Sequence, residues 1–381
     1  MKSRIKYVVG LAVATMAIMA ATTPLLGAQA AGSDQPYAFK TIDATNGAST
    51  WVMANNASGE IVGYYSDANK VFHGFLLRAG AFTTLDFPGN DVAWTQVAAI
   101  NDAGDTAGIY SLKSPAPAGN VHGFLRTSAG EWSTQDYPEG THLMAGGAYG
   151  ILADGTVVGC FHDGNPPTAM FGYAKGPGGA TSFNYPPDAP FAMHYGVTPD
   201  GKTVVGGYLL GKNQPDNWHG YVFDSGNVVS FDVPGKAGTQ AMGISPGRSV
   251  VGVYKVLAGT TWFAHGFVAN TRGSLDPTGW SFAMVDVPGA AQTIVRSLNA
   301  NGELAGYYVD AGGATHGFLA TAGADSAPAA TPPPAAPAPP NTGTGRAVPA
   351  SYSPLMALGA ALLALSVVTV GSRVALRRRA R

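Results

Sequence analysis

The fold is decided by a repeated stretch whose first full copy reads EIVGYYSDANKVFHGFLLRAGAFTTLDFP at residues 60–88. Three short motifs stand out in it: Gly63-Tyr64-Tyr65, His73-Gly74-Phe75 and Asp86-Phe87-Pro88. Each recurs along the chain in the same order. Because a fixed period identifies a repeat architecture, these motifs predict the fold more directly than composition does.

Six copies of the repeat follow one another, with the histidine motif recurring every 46 to 51 residues. The first motif continues as Gly108-Ile109-Tyr110, Gly159-Cys160-Phe161, Gly206-Gly207-Tyr208, Gly252-Val253-Tyr254 and Gly306-Tyr307-Tyr308. The second continues as His122-Gly123-Phe124, Phe171-Gly172-Tyr173, His219-Gly220-Tyr221, His265-Gly266-Phe267 and His316-Gly317-Phe318. The third continues as Asp136-Tyr137-Pro138, Asn184-Tyr185-Pro186, Asp232-Val233-Pro234 and Asp286-Val287-Pro288.

These motifs resemble the extracellular HAF-type repeat family, with glycine where that name has alanine. The resemblance covers about residues 38–320. It implies a repeated, exported, propeller-like domain and says little about ligand or activity.

Each repeat divides into four short strands. In the first repeat we predict them at Thr50–Ala54, Glu60–Tyr65, Gly74–Arg78 and Phe82–Asp86, separated by glycine- and asparagine-rich turns. Four antiparallel strands at this period are typical of a propeller blade. The sequence therefore predicts an all-β, six-bladed propeller over residues 36–322. Small residues in the first strand of each repeat favour its placement nearest the axis.

The two ends of the repeat region complete one another. The sixth repeat reaches His316-Gly317-Phe318 and has no fourth strand before a proline-rich segment begins. Residues 39–43, FKTID, match residues 82–86, FTTLD, and form an orphan fourth strand at the start. We predict that this N-terminal strand completes the last blade, which also removes open sheet edges.

Bulk composition limits the function classes. Only 12% of the 381 residues are charged and the net charge is −1, so nothing indicates nucleic-acid binding. With 52 glycines and 46% hydrophobic residues the chain is typical of many short apolar strands joined by tight turns. The single cysteine, Cys160, excludes an intramolecular disulfide and is interpreted as a small buried residue rather than a nucleophile.

The N-terminus has the features of a secretory signal peptide over residues 1–30. Lys2, Arg4 and Lys6 precede an apolar run, and Ala28-Gln29-Ala30 is a small-x-small cleavage site. We therefore expect an exported bacterial protein. A retained N-terminal anchor is the alternative interpretation.

The C-terminus has the features of a surface anchor. Residues 323–353 form a proline- and alanine-rich linker, residues 354–371 are an uncharged run long enough for a transmembrane helix, and residues 372–381 are a basic tail. The positive-inside rule places that tail in the cytoplasm and the repeats outside.

The linker contains Pro340-Asn341-Thr342-Gly343, which resembles a sortase sorting signal of the Leu-Pro-x-Thr-Gly type, with Pro339 where that signal has leucine. The resemblance implies cleavage between Thr342 and Gly343 by a sortase and attachment to the cell wall. The alternative is a plain membrane anchor. Both place the repeats on the extracellular face of the cell envelope.

The repeated histidines are interpreted as structural partners of the repeated aspartates. The two residues flank a hairpin turn almost symmetrically and should face one another. The predicted pairs are His73–Asp86, His122–Asp136, His219–Asp232, His265–Asp286 and, through ring closure, His316–Asp43. In the third repeat both positions differ, because Phe171 replaces the histidine and Asn184 the aspartate. A joint change fits a structural pair, since the loss of one partner alone would leave the other buried without a hydrogen bond. A metal ring or catalytic set is the alternative; we expect neither metal nor cofactor.

Residues that break the repeat are the candidates for a ligand site. Trp51 and Trp94 begin first strands, while Trp218 and Trp262 lie beside or in insertions. Exposed aromatic rings could stack on sugar faces, and packing at blade edges is the alternative.

Three functions fit these features. A surface-anchored, non-catalytic propeller for binding or adhesion, with an extracellular glycan or protein as partner, fits the anchor and the lack of a catalytic motif. An extracellular carbohydrate-active hydrolase or lyase would need a carboxylate pair in a central cleft. A structural component of the cell envelope is the third.

Overall fold

The computed structural model describes residues 37–45, 47, 49–113, 121–137, 144–163, 169–184, 189–210 and 217–322. Within this part the chain is all-β, and its one helical element is a 3-10 turn at Pro277–Gly279. No helix in these ranges has the length and apolar character needed to cross a bilayer. The predicted signal peptide, linker, sorting motif, transmembrane helix and basic tail lie outside the described residues.

The strands follow the repeats. The N-terminal strand is β1 (Tyr37–Ile42). Repeat 1 forms β2 (Ser49–Asn55), β3 (Ile61–Ser66), β4 (Phe72–Arg78) and β5 (Ala81–Leu85). Repeat 2 forms β6 (Val92–Ile100), β7 (Thr106–Leu112), β8 (Val121–Arg126) and β9 (Trp132–Thr134). Repeat 3 forms β10 (Met144–Ile151), β11 (Val157–Asp163), β12 (Ala169–Gly176) and β13 (Gly179–Phe183).

The second half of the chain continues in the same way. Repeat 4 forms β14 (Phe191–Val197), β15 (Thr203–Leu209), β16 (Trp218–Asp224) and β17 (Asn227–Phe231). Repeat 5 forms β18 (Ala237–Ile244), β19 (Val250–Ala258), β20 (Thr261–Asn270) and β21 (Ser281–Val285). Repeat 6 contributes β22 (Gln292–Leu298), β23 (Leu304–Val309) and β24 (Thr315–Ala322).

The strands form a propeller-like set of antiparallel sheets. Three sheets have four strands each, ordered β2-β3-β4-β5, β18-β19-β20-β21 and β1-β24-β23-β22. A twelve-stranded sheet contains repeats 2, 3 and 4. Within it each repeat is its own antiparallel group, and single parallel bridges, Met144 with Val121 and Met170 with Phe191, connect neighbouring groups.

The first repeat shows how well its strands were predicted. The first, second and fourth strands agree with the predicted bounds to within one residue at each end. The third strand begins two residues earlier than predicted, at Phe72, because Phe72 pairs with Ser66 across the hairpin.

The N-terminal strand occupies the place predicted for it. Strand β1 pairs antiparallel with β24, from Tyr37 opposite Ala322 to Ile42 opposite Gly317. Phe39 packs edge-on against the ring of Phe318 at 5.6 Å between ring centroids. The sheet of the last repeat therefore takes its fourth strand from the other end of the chain.

The core lies between neighbouring repeats. Val62 and Leu76 of repeat 1 pack with Val97 and Phe124 of repeat 2, and the other clusters cross repeat boundaries in the same way. The aromatic residue that ends the second motif is fully buried in all six repeats: Phe75, Phe124, Tyr173, Tyr221, Phe267 and Phe318. These residues make each repeat dependent on its neighbours for a core, as in other repeat folds.

The glycine that opens each Gly-x-Tyr motif is required by close backbone approach. A Cβ atom added to any of the six would overlap a main-chain carbonyl oxygen of the first strand in the same repeat. That carbonyl belongs in turn to Trp51, Gln96, Gly147, Met193, Gln240 and Ile294. The glycine of this motif therefore allows the first two strands of a repeat to approach one another closely.

Asparagine side chains tie neighbouring repeats together. Asn299 Nδ2 donates to the carbonyl of Asn56 at 3.0 Å, Asn56 Nδ2 to that of Asn101 at 3.1 Å, and Asn101 Nδ2 to that of Leu152 at 3.0 Å. This series runs from repeat 6 across the chain ends to repeats 1, 2 and 3. The motif analysis missed it, although an asparagine at the same turn position in repeats 1, 2 and 6 was a visible signal.

Candidate functional site

All five predicted histidine–aspartate pairs are in contact. Each histidine donates from Nδ1 to the carboxylate of its partner. The shortest separations are 2.7 Å for His73–Asp86 and His122–Asp136, 2.9 Å for His219–Asp232, 3.0 Å for His316–Asp43 and 3.1 Å for His265–Asp286. The insertion that separates His265 from Asp286 in sequence does not prevent their contact.

A tyrosine stacks on the other side of each paired histidine. The tyrosine belongs to the Gly-x-Tyr motif, and its ring centroid lies 5.1 to 5.4 Å from that of the histidine. Four of these tyrosine hydroxyls also contact a threonine or serine on the outer strand: Tyr65 with Thr84, Tyr110 with Thr134, Tyr208 with Ser230 and Tyr308 with Thr41. The three motifs thus meet in one hydrogen-bonded group per repeat, which we call the histidine rim.

The expectation that these pairs are buried is wrong. The paired histidine side chains are 18 to 36% exposed and the aspartates 26 to 47% exposed. The reason is their position, since His73 pairs in register with Tyr65 and Tyr65 with Thr50, near the end of the sheet where the first strand begins. Water can therefore replace a lost partner, and the loss of one member costs less than it would in a dry core.

The third repeat keeps part of the rim with different residues. Phe171 stacks on Phe161 at 5.3 Å, as histidine stacks on tyrosine elsewhere. Asn184 Oδ1 accepts from the backbone N–H of Gly172 at 3.1 Å, as Asp136 Oδ1 accepts from that of Gly123 at 3.1 Å. Asparagine therefore retains the bond to the motif glycine without needing a histidine.

His316 has a second carboxylate beside it. Its Nε2 lies 3.4 Å from Asp310 Oδ2, while Nδ1 bonds to Asp43. Partial burial lowers the pKa of His316, but the hydrogen bonds and charges of Asp43 and Asp310 outweigh burial and raise the pKa above 6.5. Within the described ranges no three histidine, cysteine or acidic side chains are grouped so as to hold a metal ion.

The four tryptophans do not form one site. Trp51 stacks on Tyr64 at 5.0 Å and meets Phe72 edge-on at 5.6 Å, and Phe72 in turn meets Trp94 at 6.4 Å. Trp218 covers Gly207 on the neighbouring strand, and Trp262 pairs in register with Leu257. All four are partly buried. The structure thus joins Trp51 and Trp94 through Phe72 and leaves Trp218 and Trp262 apart from them.

A cavity of about 190 Å³ lies where the first strands of all six repeats converge. Its walls are the second halves of these strands and the turns that follow, so it lies at the end opposite the histidine rim. None of the four tryptophans is among its described lining residues. We call it the axial cavity.

The first strand of every repeat has a β-bulge at the axial cavity. In repeat 1, Val52 pairs with Gly63 and Ala54 with Val62, which leaves Met53 without a partner residue. The same shift occurs in the other five repeats. The bulged residues all line the cavity and are Met53, Ala98, Tyr149, Tyr195, Met242 and Arg296. A bulge re-aims one side chain, and here it presents one residue per repeat to the axis.

Arg296 is the only bulged residue with a charge. Its side chain is buried, with 8% of the residue exposed. One Nη donates to the Met242 sulfur at 2.8 Å, and Cζ lies 5.3 Å from the centroid of the Tyr195 ring. Burial raises the pKa of Tyr64, Tyr195 and Tyr307, and the nearby Arg296 charge partly opposes this rise. The tyrosines around the guanidinium are therefore neutral.

Two further buried groups lie close to the axial strands. Burial lowers the pKa of His194 to about 3, so this imidazole, which shares a hydrogen bond with the Tyr221 hydroxyl, is neutral at physiological pH. Burial raises the pKa of Cys160 to about 12. Cys160 is thus a buried thiol, as predicted, and not an activated nucleophile.

No family model matches this chain, and no curated protein matches it. Among solved structures it is similar to AofleA from Arthrobotrys oligospora, with 9% identity over 74% of this chain and 86% of that chain, at a TM-score of 0.42. TolB from Acinetobacter baumannii shares 13% identity over 74% of this chain and 66% of that chain, at 0.41. A fucose-specific lectin from Aleuria aurantia shares 11% identity over 78% and 80%, at 0.25. Similarity at this level carries nothing about the ligand.

Proposed function

We propose that this chain is a cell-surface, six-bladed β-propeller that binds an extracellular ligand in its axial cavity without catalysing a reaction. In this proposal each repeat is one blade, and β1 closes the ring by completing the last blade. The ligand is a glycan or a protein segment that enters the cavity from the end away from the histidine rim.

The ring of bulged residues carries the proposal. All six repeats present a side chain to the cavity from the same register position, and four kinds of side chain, which differ in size and polarity, would be unnecessary for packing alone. Methionine occurs twice, tyrosine twice, and alanine and arginine once each. Variation at equivalent positions inside an otherwise regular repeat is what a specific ligand site requires.

The chemistry of the cavity favours binding over hydrolysis. Asp102 is the one carboxylate among its described lining residues, and its Oδ1 accepts a hydrogen bond from the Ala57 N–H at 2.9 Å. Glycoside hydrolysis by the usual routes needs two carboxylates across the scissile bond. The lining therefore supports a binding site.

The cell-surface location rests on the sequence at the two ends. The signal peptide over residues 1–30 and the run 354–371 with its basic tail support export and anchoring, and Pro340-Asn341-Thr342-Gly343 supports wall attachment by a sortase. Fractionation of cells with and without sortase tests this part. Release of the protein from the wall fraction in the sortase-deficient cells is expected, and an unchanged membrane fraction in both strains would favour the plain anchor.

A glycan array with the purified full-length chain tests the binding function. We expect binding to a restricted set of glycans and loss of it in Ala98→Met, which places in repeat 2 the side chain that repeats 1 and 5 already accommodate. His219→Ala, on the histidine rim, serves as the matched control and should bind as the wild type does. Hydrolysis of a polysaccharide panel, with no binding on the array, would contradict the proposal.

A further inference from the structure

Arg296 is a buried positive charge without a counter-charge. Among the described residues no carboxylate lies within ion-pair distance of its guanidinium, and its Nε is buried with no hydrogen-bond partner. Its contacts are a thioether sulfur, which is a weak acceptor, and a tyrosine ring. A side chain that lines the axial cavity and is more than nine-tenths buried thus has one N–H donor without a partner.

Several other polar groups of the cavity wall already have hydrogen-bond partners. Ser297 donates to Asn55 Oδ1 at 2.8 Å, and Asn55 Nδ2 donates to the carbonyl of Glu303 at 3.1 Å. Asp102 Oδ1 accepts a hydrogen bond from the backbone N–H of Ala57 at 2.9 Å. Among the described lining residues, Arg296 is the one with a buried side-chain donor that lacks a hydrogen-bond partner.

Packing does not require an arginine at this position. The equivalent bulged residues in repeats 1 and 5 are Met53 and Met242, which have a similar length and no charge. A buried and uncompensated charge lowers the stability of the folded protein. An anionic ligand in the cavity would recover the lost interaction.

We propose that the axial cavity binds the carboxylate of a small acidic sugar, and that Arg296 receives this carboxylate. The inference rests on the proposed binding function and specifies its ligand class. A guanidinium matches a planar carboxylate with two parallel N–H···O bonds. A single positive charge balances a monoanion better than it balances phosphate, and the Tyr149 and Tyr195 rings line the same wall for the sugar face.

Titration calorimetry with the full-length chain tests the proposal. The ligands are glucuronate and galacturonate, with glucose and galactose as neutral counterparts and inorganic phosphate as a second anion. We expect the uronates to bind and the neutral sugars and phosphate to bind much more weakly. Arg296→Met should weaken uronate binding by roughly ten- to hundredfold, the range for a hydrogen bond to a charged group.

Three variants separate a ligand role from a structural one. Arg296→Met should unfold at the same temperature as the wild type or higher, because it removes an unpaired charge. Arg296→Lys keeps the charge without the planar fork and should restore only part of the affinity. Arg272→Met removes an exposed arginine outside the cavity lining and should bind uronates as the wild type does.

The possible results distinguish this inference from the proposed function. Glycan binding that is unaffected by Arg296→Met, or that favours neutral sugars, overturns the inference and leaves the binding function standing. Preference for phosphate overturns the carboxylate assignment. Failure to bind both uronates and every array glycan overturns the inference and also the glycan form of the binding function, and leaves a protein segment as the ligand to test.

Discussion

The histidine rim and the axial cavity occupy opposite ends of the same strands and differ in how they use the repeat. At the rim, five repeats place the same histidine, aspartate and tyrosine in the same contacts. At the cavity, all six repeats use the same bulge but present four kinds of side chain. Repetition thus accompanies contacts that hold a repeat together, and variation accompanies the surface that we propose as the ligand site.

The first way to test this comparison is to disturb the bulge that aims residues at the cavity. Gly206→Ala should lower the free energy of unfolding by about 3 kcal/mol or more. The added Cβ would overlap the Met193 carbonyl oxygen and the Tyr221 ring, and the backbone carbonyl cannot move without disturbing the strand. Chemical denaturation measures the change.

The adjacent glycine provides the control. A Cβ on Gly207 would meet only the side chains of Trp218 and Gln240, at 3.2 and 3.3 Å. Gly207→Ala should therefore cost less than about 1 kcal/mol. Equal losses in the two variants would show that the close approach of the two strands is not the reason for the repeated glycine.

The second test contrasts a buried histidine on an axial strand with the histidines of the rim. The pKa of His194 is about 3 in the folded protein and about 6.5 in the unfolded chain. As the pH falls from 7 to 5, His194 becomes protonated in the unfolded chain but stays neutral in the folded protein. The wild type should therefore lose about 2 kcal/mol of stability over this range from His194 alone.

His194→Val removes this acid sensitivity. Valine occupies the equivalent position in repeats 1, 2 and 6, as Val52, Val97 and Val295, so the substitution suits the site. Denaturation at both pH values measures the difference. The same slope in variant and wild type would contradict a neutral, buried His194.

The rim was predictable from sequence because it depends on local geometry. His73 and Asp86 lie almost equally far from one hairpin turn, so their contact follows from the antiparallel register. The match between residues 39–43 and 82–86 likewise predicted the position of β1. The prediction that the pairs are buried was wrong, because a sequence motif does not show how close it lies to the end of its strands.

The axial cavity was not predictable in the same way. Side chains alternate along a regular strand, and a bulge interrupts this alternation without a motif of its own. The sequence motifs therefore did not identify Arg296 as equivalent to the bulged residues of the other repeats, which are of different types. Counting back from the turn asparagines Asn56, Asn101 and Asn299 would have aligned it with Met53 and Ala98 and shown the variable position.

The third test asks whether the rim pair is a structural unit. His219→Phe with Asp232→Asn copies the combination of Phe171 and Asn184. Phenylalanine can stack on Tyr208, and asparagine can accept from the Gly220 N–H as Asn184 accepts from that of Gly172. We expect each single change to cost about 1 kcal/mol, and the double variant to cost less than the sum of the two.

A double-mutant cycle from thermal and chemical denaturation gives this coupling. Ligand binding should be unchanged in all three variants, because the rim lies away from the cavity. A strict sum of the single losses, or a loss of binding at full stability, would break the proposed division between the two ends.

The smallest expected effect concerns pH at the closing strand. The pKa of His316 is raised, so its interaction with Asp43 contributes stability below about pH 6.5 and loses it as the pH rises through the folded pKa. Asp43→Asn should therefore lower the melting temperature more at about pH 6 than at about pH 8.

Lys40→Gln is a suitable control on the same strand, because its side chain is exposed and lies outside the rim contacts. The change in melting temperature that Lys40→Gln causes should be the same at about pH 6 and about pH 8. An Asp43→Asn effect that grows with rising pH would contradict the raised pKa of His316.

The position of β1 has a consequence for the order in which the molecule assembles. Asp43 and His316 are 273 residues apart, and their contact forms only after the last repeat has emerged. Closing a loop of this length carries an entropic cost that a local hairpin does not, and contacts so distant in sequence slow folding. The first strand of the chain therefore cannot pair with β24 until the last repeat has been synthesised, and we expect the meeting of the two ends to be a late and slow step of folding. A circular permutant that joins Ala322 to Tyr37, which face each other in register, would turn this last encounter into a local one.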